Sequence, residues 1–180
     1  MVYFFFAEGF EETEAITPLD MVRRAGVAAK TVSISKKKEV TGSHGITIVC
    51  DMLLKDIPDE TPDMVVLPGG MPGAKNLRAC SELCALLENT AAKGGMIAAI
   101  CAAPYILGEL GLLEGKKATC YPGFEDRLTG AEVRSERVVR DGRLITAAGM
   151  GVALGFGKAI VDALCGKKEA DRIQDAILMA

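Results

Sequence analysis

Short apolar runs alternate along the chain with stretches in which apolar residues recur every third or fourth position. The run VYFFFA at 2–7 is apolar throughout, as a strand buried on both faces requires. Over 11–25, Ala15, Leu19 and Val22 fall at helical spacing. This predicts an amphipathic helix, with a kink or local opening at Pro18. KTVSIS reads as the next strand, and EVTGSHGITIVC as two shorter strands joined by a glycine-containing loop. DMVVLPGG is a buried strand ending in a glycine turn. A helix follows over 81–93, with Leu83, Leu86 and Leu87 on one face. GMIAAIC is another buried strand, leading into a helix over 103–110. KKATCY, a short helical piece at 124–128, and the hairpin ERVVRDGRLITAA with Asp141-Gly142 at its turn come next,. Two helices, over 152–164 and 168–179, close the chain. Strands alternating with helices predict an α/β sandwich around a mostly parallel sheet, with a small β-hairpin addition. No linker or repeat interrupts the pattern, so one domain is expected over 1–180.

Charge and composition narrow the function. The formal net charge is −3, and the one basic cluster, Lys36-Lys37-Lys38, suits a solvated turn. No nucleic-acid surface is expected, since phosphate binding needs clustered cations. No apolar run is long enough to span a membrane, and the first residues lack the basic lead of a signal peptide. A cytoplasmic protein is expected. The six cysteines are dispersed without a Cys-x-x-Cys pair, as thiols of a reducing compartment are. Cys80 and Cys84, four apart on a helix, lack further ligands nearby and read as buried small hydrophobes, so no metal site is expected.

His44 is the single histidine, so any triad or dyad must be built on it. Its TGSHG setting marks it as an exposed loop residue instead. Gly149, Gly151, Gly155 and Gly157 do not give Gly-x-Gly-x-x-Gly, and Gly157-Lys158 is followed by Ala159, so neither nucleotide motif holds,. Those glycines are expected to let a helix approach the sheet closely.

Cys101 is the residue with chemistry in view. In open α/β sheets, ligands bind beyond the carboxyl ends of the strands. There the first strand leads into AEGFEETE, MVVLP leads into Gly69-Gly70, and MIAAI leads into Cys101. A sharp strand-to-helix turn at Cys101 exposes its sulfur on an elbow. Free N–H groups near Ala102–Pro104 favour thiolate over thiol, and Gly69 and Gly70 bring N–H groups close enough for an oxyanion hole. Glu8, Glu11, Glu12 and Glu14 all lie near that sheet end, and composition alone does not choose among them. Glu11 and Glu12 suit the first helical turn, where carboxylates complement the helix dipole. Glu14, directly before Ala15-Ile16, can point inward.

These residues resemble the ThiJ/PfpI family, or DJ-one superfamily, and most closely its branch with the parkinsonism-associated protein and bacterial relatives. EGFEETEA is similar to the family's early acidic motif, DMVVLPGG to its glycine-turn strand, AAICAAP to its nucleophile elbow, and ITAAGMG with the following helix to its C-terminal part. The resemblance implies a flavodoxin-like three-layer sandwich and a homodimer. It implies Cys101 as the reactive thiol, Glu14 as its partner carboxylate, and the N–H groups of Gly70 and Ala102 at the oxyanion site. Activities across the family include glyoxalase-type conversion of α-oxoaldehydes, deglycation, and redox-regulated chaperone behaviour. This chain departs from the family where Tyr121 replaces a histidine some members carry. Met150, beside Gly149, stands where close relatives have proline, so the pocket wall at Tyr121, Gly149 and Met150 differs. The expected substrate is a small reactive aldehyde or a glycated group, handled without metal or organic cofactor. The alternative is a redox sensor or chaperone-like stress protein in which Cys101 becomes a sulfinate. A cysteine protease is disfavoured, since His44 lies in an unrelated turn.

Overall fold

The computed structural model describes residues 1–179. In chain order the elements are β1 (Val2–Phe6), α1 (Glu12–Arg24), β2 (Ala29–Ser33), β3 (Glu39–Thr41), β4 (Thr47–Val49), β5 (Met52–Leu53), β6 (Met64–Leu67), α2 (Gly73–Ala79), α3 (Ser81–Ala92), β7 (Met96–Ile100), α4 (Pro104–Glu109), β8 (Lys117–Ala118), β9 (Glu132–Val133), β10 (Val138–Asp141), β11 (Leu144–Ala147), α5 (Ala153–Cys165) and α6 (Lys167–Ala176). Seven strands form the central sheet in the order β10-β11-β7-β6-β1-β2-β5. All neighbours are parallel except β10 with β11. Small two-stranded sheets, β3 with β4 and β8 with β9, lie outside it.

Strand side chains alternate between two cores, as the two-residue period dictates. Tyr3, Phe5, Val65, Leu67, Ile97 and Ala99 pack on one face with Leu77, Leu83 and Ile106 from α2–α4. Val2, Phe4, Phe6, Val66, Ala98 and Ile100 pack on the other with Leu19, Phe156, Ile160 and Ile173 from α1, α5 and α6. The result is the expected flavodoxin-like three-layer sandwich, which puts the loops after β1, β6, β7 and β11 at one end.

Several elements depart from the pattern reading. α1 runs unbroken through Pro18. The missing proline N–H leaves the Glu14 carbonyl without its helical partner, but the helix is not broken. In the β10–β11 hairpin, Asp141 pairs with Leu144, so the central residues are Gly142, at φ 60, and Arg143. Gly157 brings α5 against α1 rather than the sheet: a Cβ there would lie 2.5 Å from Met21 Sδ and 3.1 Å from Pro18 Cα. Cys84 is buried as expected, whereas Cys80 is half-buried and Cys165 is exposed.

Candidate active site

Cys101 follows β7 directly, at φ 63. For a residue with a Cβ this is the sterically disfavoured left-handed region, and it marks the elbow. Two backbone bonds hold the strained turn: Cys101 N–H donates to the Ala147 carbonyl at 2.8 Å, and Tyr121 N–H to the Cys101 carbonyl at 2.8 Å. The small flanking residues are required, since Ala102 and Ala103 are buried. Gly69 closes the floor. A Cβ there would sit 2.6 Å from both Cys101 Cβ and Glu14 Oε2. Gly70, at φ 87, turns its N–H toward the sulfur, and its missing Cβ leaves space for the Glu11 N–H and the Gly9 carbonyl.

Glu14 is 1% exposed and within hydrogen-bonding reach of the Cys101 thiol. Its Oε2 accepts the Gly69 N–H at 3.0 Å. The Met150 N–H also pulls on the carboxyl, but Oε1 is buried without a partner that meets hydrogen-bond geometry. Glu11 caps α1, its Oε2 accepting the Glu14 N–H at 2.6 Å. Glu12 lies in the first turn of α1 as expected, but its carboxylate does more than complement the helix end. It turns away to the β3–β4 loop, where His44 sits exposed.

Electrostatics overturn one expectation. Burial pushes the Cys101 thiol up to about 12, the Glu14 charge adds to the rise, and the N–H groups of Gly70 and Ala102 only partly oppose it. Burial likewise raises the Glu14 carboxyl to about 7, against the pull of Cys101 and the Gly69 N–H. The two groups titrate as a pair. Glu14 gives up its proton near 7, and above that the negative charge rests on the carboxylate while the thiol stays protonated. The geometry therefore supplies a proton-transfer couple, not a free thiolate.

Tyr121, Gly149 and Met150 gather at the rim. A Cβ on Gly149 would lie 3.2 Å from the Tyr121 ring and 3.9 Å from Glu14 Oε1, while Tyr121 and Met150 are about half exposed. Cys120 is buried in the core beneath, its thiol raised by burial to about 11. A separate groove of about 760 Å³, lined by residues including Ile34, Leu54, Ile57 and Cys80, takes in no part of this site. Among the described residues, Glu11, Glu12 and His44 form the one cluster with three potential metal ligands. No helix among them is long and apolar enough to cross a membrane.

A parallel sandwich with a thiol on a strained elbow beyond β7 defines a flavodoxin-like protein of the cysteine-elbow class. The chain belongs to the DJ-1/PfpI family, whose model matches residues 1–163. It is similar to Protein DJ-1 homolog A of Arabidopsis thaliana, 40% identical over 176 residues, 96% of this chain and 45% of that protein. The chain thus spans less than half the length of that plant relative. It is also similar to Glutathione-independent glyoxalase DJR-1.2 of Caenorhabditis elegans, 33% identical over 175 residues, 96% of this chain and 92% of that protein. Among solved structures, Toxoplasma gondii DJ-1 in an oxidized form superimposes with a TM-score of 0.96 at 35% identity, covering 99% of this chain and 98% of that one.

Proposed function

We propose that this chain, acting as a single domain, converts small α-oxoaldehydes or their adducts with Cys101 as nucleophile and Glu14 as acid/base. One observation carries the reading: the buried Glu14 carboxyl lies beside the Cys101 thiol on its strained elbow, the two meeting over Gly69, and burial raises that carboxyl to about 7. The glyoxalase name of the nematode relative agrees with it.

The steps follow from the geometry. As Cys101 Sγ adds to the aldehyde carbon, ionised Glu14 takes the thiol proton, and a carbon–sulfur bond replaces the carbonyl π bond. The N–H groups of Gly70 and Ala102 stabilise the resulting oxyanion. Once protonated, that oxyanion is a hemithioacetal. A proton then moves through Glu14 from the former aldehyde carbon to its neighbour by way of an enediol. This internal redox step leaves a thioester, and water releases a 2-hydroxy acid and the thiol. No external oxidant is consumed. Tyr121 and Met150, in the place of histidine and proline, form a rim that suits small substrates. Methylglyoxal turnover without added thiol, read as sustained lactate formation, tests the reading beside Cys101→Ser. Absence of lactate from wild type sinks it.

A second reading, a redox sensor or chaperone-like protein, is favoured by the same two N–H donors and by the oxidized form in which the Toxoplasma gondii relative is described. There, peroxide converts Cys101 to a sulfinate held by those donors and by protonated Glu14. Suppression of aggregation that appears only after oxidation, without turnover, selects it. In either case the chain acts as a homodimer, through the exposed apolar residues Ile16, Ile46, Val49 and Leu154.

A further inference from the structure

Glu12 follows the helix cap, a position where a carboxylate ordinarily faces water and complements the helix dipole. Here it is 7% exposed, and it binds a loop 32 residues away. Its Oε1 accepts the His44 N–H at 2.7 Å and the Ile46 N–H at 3.5 Å. Its Oε2 lies 2.9 Å from His44 Nδ1 and 3.4 Å from Ser43 Oγ. Gly42 rests directly on the carboxylate, leaving no room for a Cβ.

The same loop holds the segment before α1. Gly9 N–H donates to the Thr41 carbonyl at 2.8 Å, Ser43 N–H to the Phe10 carbonyl at 2.8 Å, and Thr41 N–H to Glu8 Oε2 at 3.1 Å. On its other side that segment holds the site. Glu11 N–H donates to the Gly69 carbonyl at 3.0 Å, and Gly73 N–H to the Gly9 carbonyl at 3.0 Å. The first turn of α1 needs such outside support, because Pro18 gives the Glu14 carbonyl no N–H partner,.

We propose that Glu12 is a positioning residue: by clasping the β3–β4 loop it fixes the first turn of α1, and with it the Glu14 carboxyl against Cys101. This rests on the reading of Cys101 and Glu14 as the reacting pair. Burial alone would raise the Glu12 carboxyl, but the bonds from His44 and Ile46 outweigh it and hold the group down to about 2, so the clasp is ionised throughout the working range. The titratable groups facing it are Glu11 on its own segment and His44 on the hairpin, each with a ligand atom within 4.8 Å. Lys37 lies 3.7 Å from Glu8.

The test uses the full chain and two readouts, methylglyoxal turnover and the pH profile of Cys101 alkylation by iodoacetamide. With the clasp cut in Glu12→Ala, kcat falls by about 10-fold with KM little changed, since small misplacements of a catalytic group are costly. The alkylation profile moves to lower pH as Glu14 draws away from Cys101 and both regain water. Glu12→Gln keeps an oxygen for the His44 N–H and restores most of both. A folded Glu12→Ala protein with the wild-type alkylation profile overturns the proposal. If Glu12→Ala does not fold, Gly42→Ala decides, since its methyl would collide with the Glu12 carboxylate and push it off the loop, shifting the profile in the same direction, and an unchanged profile overturns the proposal. A shifted profile in a protein that turns over no methylglyoxal, wild type included, upholds the clasp and removes the catalytic reading.

Discussion

Cys101 and Glu14 share one environment, and its pH behaviour can be read with signs attached. The base is the ionised carboxylate, so kcat/KM for methylglyoxal rises with pH through an apparent pKa of about 7. In Glu14→Gln this inflection is lost and turnover falls by about 100-fold or more, as expected for a positioned acid/base. Initial rates across mildly acid to mildly basic buffers check both. Stability runs the opposite way. The folded pKa of about 7 lies above the ordinary 4.5, so the stabilising contribution of bound proton is full below about 4.5 and is lost as pH rises through about 7. The shift corresponds to roughly 3 kcal/mol. Relative to wild type, Glu14→Leu therefore gains stability with rising pH, and urea denaturation on either side of neutrality measures the crossing. Thiol selectivity also changes from what dispersed cysteines suggest. Cys165 is exposed, its thiol raised by partial burial and the Glu169 charge, whereas Cys101 alkylates only at higher pH still, its thiol held up to about 12, both resolved by peptide mass spectrometry. Cys101 was legible because small residues flank it where a buried strand ends. The sign of its pKa was not, because burial and the Glu14 charge arise only when β7, α1 and the Gly69 turn converge.

At the scale of elements, most strands and helices followed from the pattern, the short α4 and the β3–β4 hairpin included, whereas α2 and β5 did not. α2 reads GAKNLRA, with Leu77 and Ala74 as its buried anchors; its place depends on Gly73 lying against the backbone of Gly9 and Phe10. β5 is two residues long and exists by pairing with β2. Nor does local sequence reveal the Glu12 clasp, which joins side chains 32 positions apart. The α1–α5 contact yields a prediction at this scale. Alanine favours a helix over glycine by about 1 kcal/mol, yet Gly157→Ala is destabilising by about 1–3 kcal/mol, because its methyl meets Met21 and the Pro18 backbone,. Chemical denaturation gives the sign directly.

The whole molecule leaves Val49 and Ile46 of the outlying hairpin exposed, together with Ile16 on α1 and Leu154 on α5. If a second copy covers this surface, Val49→Asp buries an unpaired carboxylate at the contact, which is costly, and the protein sediments as a monomer. A dimer of unchanged mass and affinity assigns the contact elsewhere. The sandwich as a whole was legible because β1 and β6 are apolar on both faces, which only helices on both sides of a sheet can cover. The floor of the site has a different kind of consequence. It is made largely of main chain: the Gly69-Gly70 turn, the Ala102 N–H and the elbow itself, with no space for a Cβ at Gly69. Main-chain groups cannot be exchanged by mutation. A covalent inhibitor gripping only that floor and the sulfur would therefore leave the protein few routes to resistance, and those would run through rim residues such as Tyr121 and Met150.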